Sequence, residues 1–131
     1  MSTLSVVTIQ NATNIQGPNA STLPSFQDST GVEHGRLCRA FVNYNGSTPG
    51  IRASFNISSV TKNGTGDYTF NFTNVLSDAN YSAVASSTLN SVGQIDHIIS
   101  MTNSACRFQR WDNSTGTITS DATIFAVSFN R

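Results

Sequence analysis

The residues that could perform chemistry are few and scattered along the chain. Asp96 and His97 are adjacent, and with a serine they would supply the three groups of a hydrolase triad. Serine occurs 19 times, so this pairing carries no information, and no Gly-x-Ser-x-Gly nucleophile elbow occurs. Glycoside hydrolysis needs two convergent carboxylates, whereas Asp67 and Asp78 lie in turn-forming sequence, where aspartate accepts backbone N–H bonds. The sequence therefore predicts no catalytic residues and no enzyme.

Ligand spacing for a metal ion is also missing. The two histidines, His34 and His97, are far apart, and the two cysteines, Cys38 and Cys106, form no CxxC pair. We therefore expect no metal and no cofactor, and we interpret His97 as a hydrogen-bonded histidine of a strand. In a protein made in a reducing cytosol, the two cysteines are predicted to be buried free thiols, with a disulfide as the alternative.

One short segment has the composition of a sugar-binding site. Trp111 is the only tryptophan, and it is preceded by Arg110 and followed by Asp112 and Asn113 at the start of a predicted loop. An exposed aromatic ring beside amides and carboxylates holds a sugar by stacking and by bidentate hydrogen bonds. We therefore take these four residues as candidate contacts to a host receptor or glycan. The alternative is that Trp111 closes the end of a hydrophobic core.

Composition favours strands and a neutral surface. Ser, Thr and Asn occur 19, 16 and 14 times, charged residues make up 11%, and the formal net charge is zero. Without a basic field or a long apolar run, neither nucleic acid nor membrane insertion is expected, and the N-terminus lacks the pattern of a signal peptide. A surface of hydroxyls and amides suits packing against copies of itself or against neutral sugars.

Alternating apolar residues predict seven or eight strands. In Arg36–Tyr44, Phe41 lies on the opposite face from Ala40 and Val42, so one face is predicted to enter the core and the other to contact a partner. Asn63-Gly64 predicts a tight hairpin. We therefore predict an all-β, antiparallel β-sandwich of about 7–8 strands with an extended N-terminal arm. Further strands are predicted around Ile51–Ile57, Tyr68–Phe72, Tyr81–Thr88, Ile95–Met101, Arg107–Trp111 and Thr123–Phe129.

The N-terminal segment differs from the rest of the chain. Residues 1–34 contain few large apolar side chains and are rich in Asn, Ser, Thr, Pro and Gly, so they cannot cover a core. We interpret 1–34 as an extended arm for assembly or attachment, and 35–131 as the sandwich domain. The alternative is that the arm folds back on its own domain. Addition of the arm as a strand to a neighbouring subunit would use, together with Phe41 of the sandwich, the apolar residues Leu4, Val6, Val7 and Ile9.

The region Gly35–Tyr81 also carries three specific motifs, at Asn43–Gly46, Ile51–Ser54 and Asn63–Phe72. They resemble a module that recurs in tail-fibre and other virion proteins of tailed bacteriophages, notably marine and cyanobacterial ones. The opening Met1–Leu4 is similar to the start of short virion proteins of this type. The resemblance implies a structural or adhesive module that ends a homotrimeric fibre or forms a small knob.

The resemblance therefore implies a non-enzymatic structural component of a tailed-phage virion. It would be a tail fibre tip, a tail accessory or a capsid decoration protein, made in the bacterial host cytoplasm and located in the virion. Its expected partners are itself, as a homotrimer, other virion proteins through the arm, and a host surface glycan or receptor. The alternative is a stand-alone carbohydrate-binding β-sandwich module. A hydrolase of surface polysaccharide, using Asp96 or His97, is a third hypothesis.

Overall fold

A computed structural model of the protein describes residues 25–27, 33–36, 38–88, 94–113, 115–118 and 120–131. Within these ranges it contains ten β-strands and no helix. The chain divides into two compact units, Met1–Arg36 and Leu37–Arg131. In the first unit, β1 (Ser25–Gln27) and β2 (Glu33–Arg36) form an antiparallel pair. Outside the described residues lie the predicted arm contacts Leu4, Val6, Val7 and Ile9.

The second unit is an antiparallel β-sandwich of eight strands, which confirms the predicted fold class. Sheet I has the order β4-β3-β10-β7 and sheet II has the order β5-β6-β9-β8. The strands of sheet I are β3 (Cys38–Asn45), β4 (Gly50–Phe55), β7 (Ser82–Ser87) and β10 (Phe125–Asn130). The strands of sheet II are β5 (Ile57–Gly64), β6 (Asp67–Phe72), β8 (Gln94–Met101) and β9 (Ala105–Asp112).

Aromatic side chains fill the space between the two sheets. Phe70 lies at the centre, with its ring centroid 5.8 Å from that of Phe125 and 6.0 Å from that of Phe108. Alternation along β3, β6, β9 and β10 sends every second residue into this core, as the sequence predicts for β3, β6 and β10. The buried aromatic residues of the core are Tyr44, Tyr68, Phe70, Phe72, Tyr81, Phe108, Phe125 and Phe129.

The predicted strand around Ile51–Ile57 is two strands that belong to different sheets. Asn56 separates β4 from β5 and has a φ of 55°, in the left-handed region that asparagine tolerates better than most residues. Its side-chain amide donates to the carbonyl oxygens of Arg39 and Asn74, both at 3.1 Å. As a result Phe55 stays on the outside of sheet I, whereas Ile57 enters the core.

The predicted hairpin exists, but its turn lies two residues later than Asn63-Gly64. Both of these residues belong to β5, and the chain turns at Thr65-Gly66, where Gly66 has a φ of 64°. The Asn63 side chain points outward and donates to Asp67 Oδ1 at 3.0 Å and Thr69 Oγ1 at 2.9 Å. Asn63 therefore links β5 to side chains of β6 and is not a residue of the turn.

The two cysteines are free, and they differ in burial. Cys106 lies in the core, where burial raises the pKa of its thiol to about 11. Cys38, the first residue of β3, is exposed, so the prediction that both thiols are buried is wrong for Cys38. The start of β3 is exposed to solvent at the end of the sandwich. Alternation of apolar residues does not show at which residue of a strand the core ends.

Candidate functional site

The residues of the hypothetical triad lie on opposite faces of β8. Asp96 faces inward, beside Arg110 in the register of β8 and β9, and its Oδ2 accepts a hydrogen bond from Ser87 Oγ at 2.7 Å. His97 is exposed on the outer face of sheet II. Adjacent strand residues point in opposite directions, so these two side chains cannot act on one substrate.

Asp67 and Asp78, the two carboxylates considered for glycoside hydrolysis, are engaged in structural contacts. Asp78 forms an ion pair with Arg131, and Asp67 is covered by hydrogen-bond donors from its own sheet. No group of three or more His, Cys, Asp or Glu side chains that could hold a metal ion occurs among the described residues. Nor does this part of the chain contain a helix long and apolar enough to cross a membrane.

The four predicted glycan contacts are separated by the pleat of β9. The strand continues through Asp112, so Trp111 is a strand residue on the outer face and is half-buried. Arg110 and Asp112 point inward and are only 1% and 8% exposed. Asn113 is exposed in the following turn. Arg110 and Asp112 are therefore not available to a ligand that contacts Trp111, and the loop predicted to begin at Asp112 starts one residue later, at Asn113.

Arg110 has a structural role instead. Its Nη2 donates to the backbone carbonyl of Thr88 and to Oε1 of Gln94, which holds the end of β7 to the start of β8. The backbone N–H of Arg110 donates to the carbonyl of Gly66 at 2.8 Å. A buried guanidinium with these partners ties several strand ends together at one end of the sandwich.

The outer face of sheet II brings together a different set of residues around Trp111. On β9 the outward residues are Arg107, Gln109 and Trp111, and Gln109 lies in register with Asp67 of β6 and with His97 of β8. We call this surface the polar face. It consists of Asn63, Asp67, Thr69, His97, Arg107, Gln109 and Trp111.

Asp67 is the anchor of the polar face, and its carboxylate accepts four hydrogen bonds. Arg107 donates from Nε to Oδ1 at 2.9 Å and from Nη2 to Oδ2 at 2.5 Å, a bidentate pair. Asn63 donates to Oδ1 at 3.0 Å and Gln109 to Oδ2 at 2.8 Å. The hydrogen bond from Arg107 is the largest cause of a pKa of about 2 for Asp67, with further lowering by Gln109 and Asn63 against the effect of burial.

This lowered pKa predicts a pH-dependent contribution of Asp67 to stability. A carboxyl group whose pKa is lower in the folded state stabilises it above the unfolded value of about 4, and the contribution is lost as pH falls towards 2. We expect Asp67→Asn to lower the free energy of unfolding by about 2 kcal/mol at pH 6. Urea denaturation should show the gap between variant and wild type closing between pH 4 and pH 2. A gap that stays constant over this range would contradict the prediction.

The amide of Gln109 fixes the orientation of Trp111. Because Gln109 Nε2 donates to Asp67, its Oε1 points the other way and accepts the indole N–H of Trp111 at 3.3 Å. His97 packs against the indole with ring centroids 6.1 Å apart and an interplanar angle of 73°. A cleft of about 220 Å³ beside the ring is lined by His97, Ile98, Ile99 and Trp111.

The outer face of sheet I has the opposite character. Phe41 and Phe55 are 41% and 56% exposed, and their rings stack with centroids 6.4 Å apart. Beyond them lies a shallow groove of about 480 Å³. We call the groove and the adjoining Phe55 the apolar face. The outward residues of the groove are Phe41, Asn43, Ala53, Val84, Ser86, Ala126 and Ser128.

Sequence reasoning identified Trp111 and Phe41 as outward-facing candidates but missed the network that surrounds Trp111. The alternation of Arg107, Gln109 and Trp111 with Cys106 and Phe108 was a usable signal for the β9 part, because it puts all three on one face. Asp67 and Asn63 had no such signal. They reach the face through the pairing of β6 with β9 and β5, which brings together residues far apart in the chain.

The geometry of the structure is the basis on which both candidate surfaces, the polar face and the apolar face, are identified. No protein-family model, no curated protein and no solved structure matches this chain.

Proposed function

We propose that the protein is a non-enzymatic structural component of a tailed-phage virion that assembles as a homotrimer through the apolar face. It would serve as a fibre tip, a tail accessory or a capsid decoration, with other virion proteins held through the N-terminal arm. The motifs at Asn43–Gly46, Ile51–Ser54 and Asn63–Phe72 support the virion assignment by their resemblance to phage modules. The exposed pair Phe41 and Phe55 is the observation that carries the assembly.

Two stacked phenylalanines on the outside of a sheet favour an interface. They adjoin a groove whose other outward side chains are the apolar Ala53, Val84 and Ala126 and the uncharged polar Asn43, Ser86 and Ser128, so apolar side chains occur on all four strands of sheet I and no charged side chain lines the groove. Two large aromatic rings that stack on each other outside the core, beside an uncharged groove, favour contact with a partner. Aromatic side chains at the centre of an interface contribute most of its binding energy.

The area of the apolar face indicates that it is only the central part of the interface. Four strands spaced about 4.8 Å apart, with about five residues each, present a flat area of about 250 Å². A stable interface buries about 800 Å² on each partner. We propose that the remainder comes from the arm of a neighbouring copy. Its segment Leu4–Ile9 would add as a strand to β4, which is an edge strand of sheet I among the described residues and all of whose residues are exposed.

Removing the two aromatic rings is expected to break the assembly. Replacement of both Phe41 and Phe55 by Asn should raise the dissociation constant of the oligomer by about 100-fold or more, because each ring loses roughly 2 kcal/mol of burial. Light scattering at micromolar concentration measures the outcome, with the wild type at three times the chain mass. Val75→Ser is the matched control, since Val75 is 63% exposed outside this face. A monomeric wild type would contradict the proposal.

The virion assignment has its own test. Purified phage particles from the source of the gene should contain the chain by mass spectrometry, and gold-labelled antibodies should locate it on tail or capsid. Deletion of residues 2–30 should prevent incorporation while circular dichroism still reports a folded sandwich. Particles that lack the chain, or that incorporate the deleted form normally, would contradict the assignment.

A stand-alone carbohydrate-binding module remains the second candidate function. The observation that favours it is the half-buried indole of Trp111 held by Gln109 on the polar face. The two candidates differ in what they require of the purified chain. A binding module recognises sugars as a monomer, whereas a virion component forms a stable oligomer with or without sugar binding.

A further inference from the structure

We infer that the polar face binds one neutral sugar ring of a glycan, stacked on the indole of Trp111 and hydrogen-bonded by Gln109. This inference goes beyond the proposed assembly, because the polar face belongs to sheet II and the apolar face belongs to sheet I. It deepens the second candidate function, on which its choice of ligand rests, by naming the site and the ligand class.

Hydrogen bonds hold the side chains of the polar face in fixed positions. Asp67, which is 6% exposed, holds Asn63, Arg107 and Gln109 in place through its four accepted hydrogen bonds. Gln109 in turn holds the indole N–H of Trp111. The ring and the polar groups beside it are therefore ordered before any ligand arrives, which lowers the entropic cost of binding.

The charges of Asp67 and Arg107 on the polar face balance each other. The carboxylate of Asp67 is saturated by its four donors, so no lone pair is left to attract a cation. The guanidinium of Arg107 is neutralised by the same carboxylate, so it offers N–H donors without a net positive charge. This balance favours a neutral ligand that both donates and accepts hydrogen bonds, which is the chemistry of sugar hydroxyls.

The cleft beside Trp111 has the size and the lining that suit a sugar ring. Its volume of about 220 Å³ is below the 300–1,000 Å³ of pockets for drug-sized ligands, so it suits a single ring. Its lining of two aromatic rings and two isoleucine side chains matches the C–H surface of a pyranose, which stacks on aromatic faces. The Cα atom of Gln109, two residues from Trp111 along β9, lies about 6.7 Å from the Cα atom of Trp111. The side-chain amide of Gln109 is therefore within reach of the hydroxyl groups of a sugar that stacks on the indole.

The fluorescence of Trp111 provides a direct assay, because it is the only tryptophan in the chain. The probes are neutral tetrasaccharides built from glucose, galactose, mannose or N-acetylglucosamine, with an acidic tetrasaccharide of uronic acid for comparison. At least one neutral probe should shift the emission saturably and bind by calorimetry. Trp111→Ala should weaken binding about tenfold or more, Trp111→Phe should weaken it less, and Gln109→Leu should also weaken it.

Controls separate loss of the site from loss of the fold. Val75→Ser should bind as the wild type does, and each variant should keep the wild-type circular dichroism spectrum. The inference is overturned by no saturable binding of any neutral probe up to about 10 mM, by preference for the acidic probe, or by unchanged binding in Trp111→Ala. A change of oligomeric mass in Trp111→Ala would also overturn it, because the polar face would then contact another copy. A trimeric wild type that binds no sugar contradicts this inference alone, and a sugar-binding monomer contradicts the assembly alone.

Discussion

Replacing Asp121 by alanine is expected to lower the free energy of unfolding by about 3 kcal/mol. The carboxylate of Asp121 accepts hydrogen bonds from the Tyr68 hydroxyl at 2.5 Å, from Lys62 Nζ at 2.6 Å and from the Gly66 backbone N–H at 2.9 Å. These donors lie on β5, on β6 and in the turn that joins the two strands. Asp121 therefore fastens the segment before β10 to the β5–β6 hairpin.

The size of the effect follows from what the alanine variant leaves behind. Tyr68 is fully buried, so its hydroxyl would lose its carboxylate partner in a place that water does not reach freely. Burial alone would raise the pKa of Asp121, but hydrogen bonds from Gly66, Lys62 and Tyr68 outweigh it and lower the pKa. The folded protein thus stabilises the ionised form, and its removal costs more than the loss of an exposed ion pair.

Chemical denaturation of Asp121→Ala at neutral pH measures this cost. The matched control is Asp78→Ala, which removes the partner of Arg131 in a pair whose carboxylate side chain is 38% exposed. The control is expected to lose less than about 1 kcal/mol. Asp121→Asn keeps an acceptor for the Tyr68 hydroxyl but loses the charge, so its stability should lie between wild type and alanine. Equal losses in Asp121→Ala and Asp78→Ala would refute the role of the network.

Alternation of apolar residues was sufficient to predict most of the fold. It placed Ala40, Val42 and Tyr44 in the core and Phe41 outside, as the structure shows. It could not predict the change of sheet at Asn56, because the apolar pattern of Ile51–Ile57 continues through that position without interruption. The left-handed backbone of Asn56 depends on contacts with Arg39 and Asn74, which a local pattern does not contain.

The candidate sites were predictable only in part for the same physical reason. Trp111 could be selected as a candidate ligand contact because it is the only tryptophan and lies in a polar segment. The strand that contains it, however, was predicted too short. The inferred loop then grouped Arg110 and Asp112 with Trp111, although the pleat turns them into the sandwich. Asp67 was interpreted as a turn residue, because its bidentate partner Arg107 is 40 positions away and becomes a neighbour only when β6 pairs with β9.

Gly46 is another residue whose structural role the local sequence does not reveal. Its position after Asn45 suggests a turn that needs a positive φ, yet its φ is not in that region. The need for glycine comes from the core: a Cβ at this position would overlap the Tyr68 hydroxyl oxygen and lie 2.7 Å from Tyr68 Cζ. Gly46→Ala is therefore expected to destabilise the protein by about 3 kcal/mol, as overpacking of a closed site does.

Neither the backbone of Gly46 nor the ring of Tyr68 can move away at a low cost in free energy. The backbone of Gly46 is held by its N–H, which donates to Ala122 O at 2.8 Å, and by its carbonyl, which accepts from Lys62 Nζ at 3.1 Å. The ring of Tyr68 is fixed by burial and by its hydrogen bond to Asp121. The new methyl group must therefore displace part of the network that Asp121 holds together.

Thermal and urea denaturation of Gly46→Ala test this prediction, and Gly64→Ala supplies the control. A Cβ at Gly64 would meet no atom within 4 Å, so that variant should stay within about 0.5 kcal/mol of wild type. The contact with Tyr68 is isolated by a double-mutant cycle with Tyr68→Phe, which removes the overlapping oxygen. Gly46→Ala should cost less in the Tyr68→Phe background than in the wild type, because the two substitutions share that contact. Additive costs, or a Gly46→Ala variant as stable as Gly64→Ala, would show that Tyr68 can yield and that the end of the sandwich is not held as described.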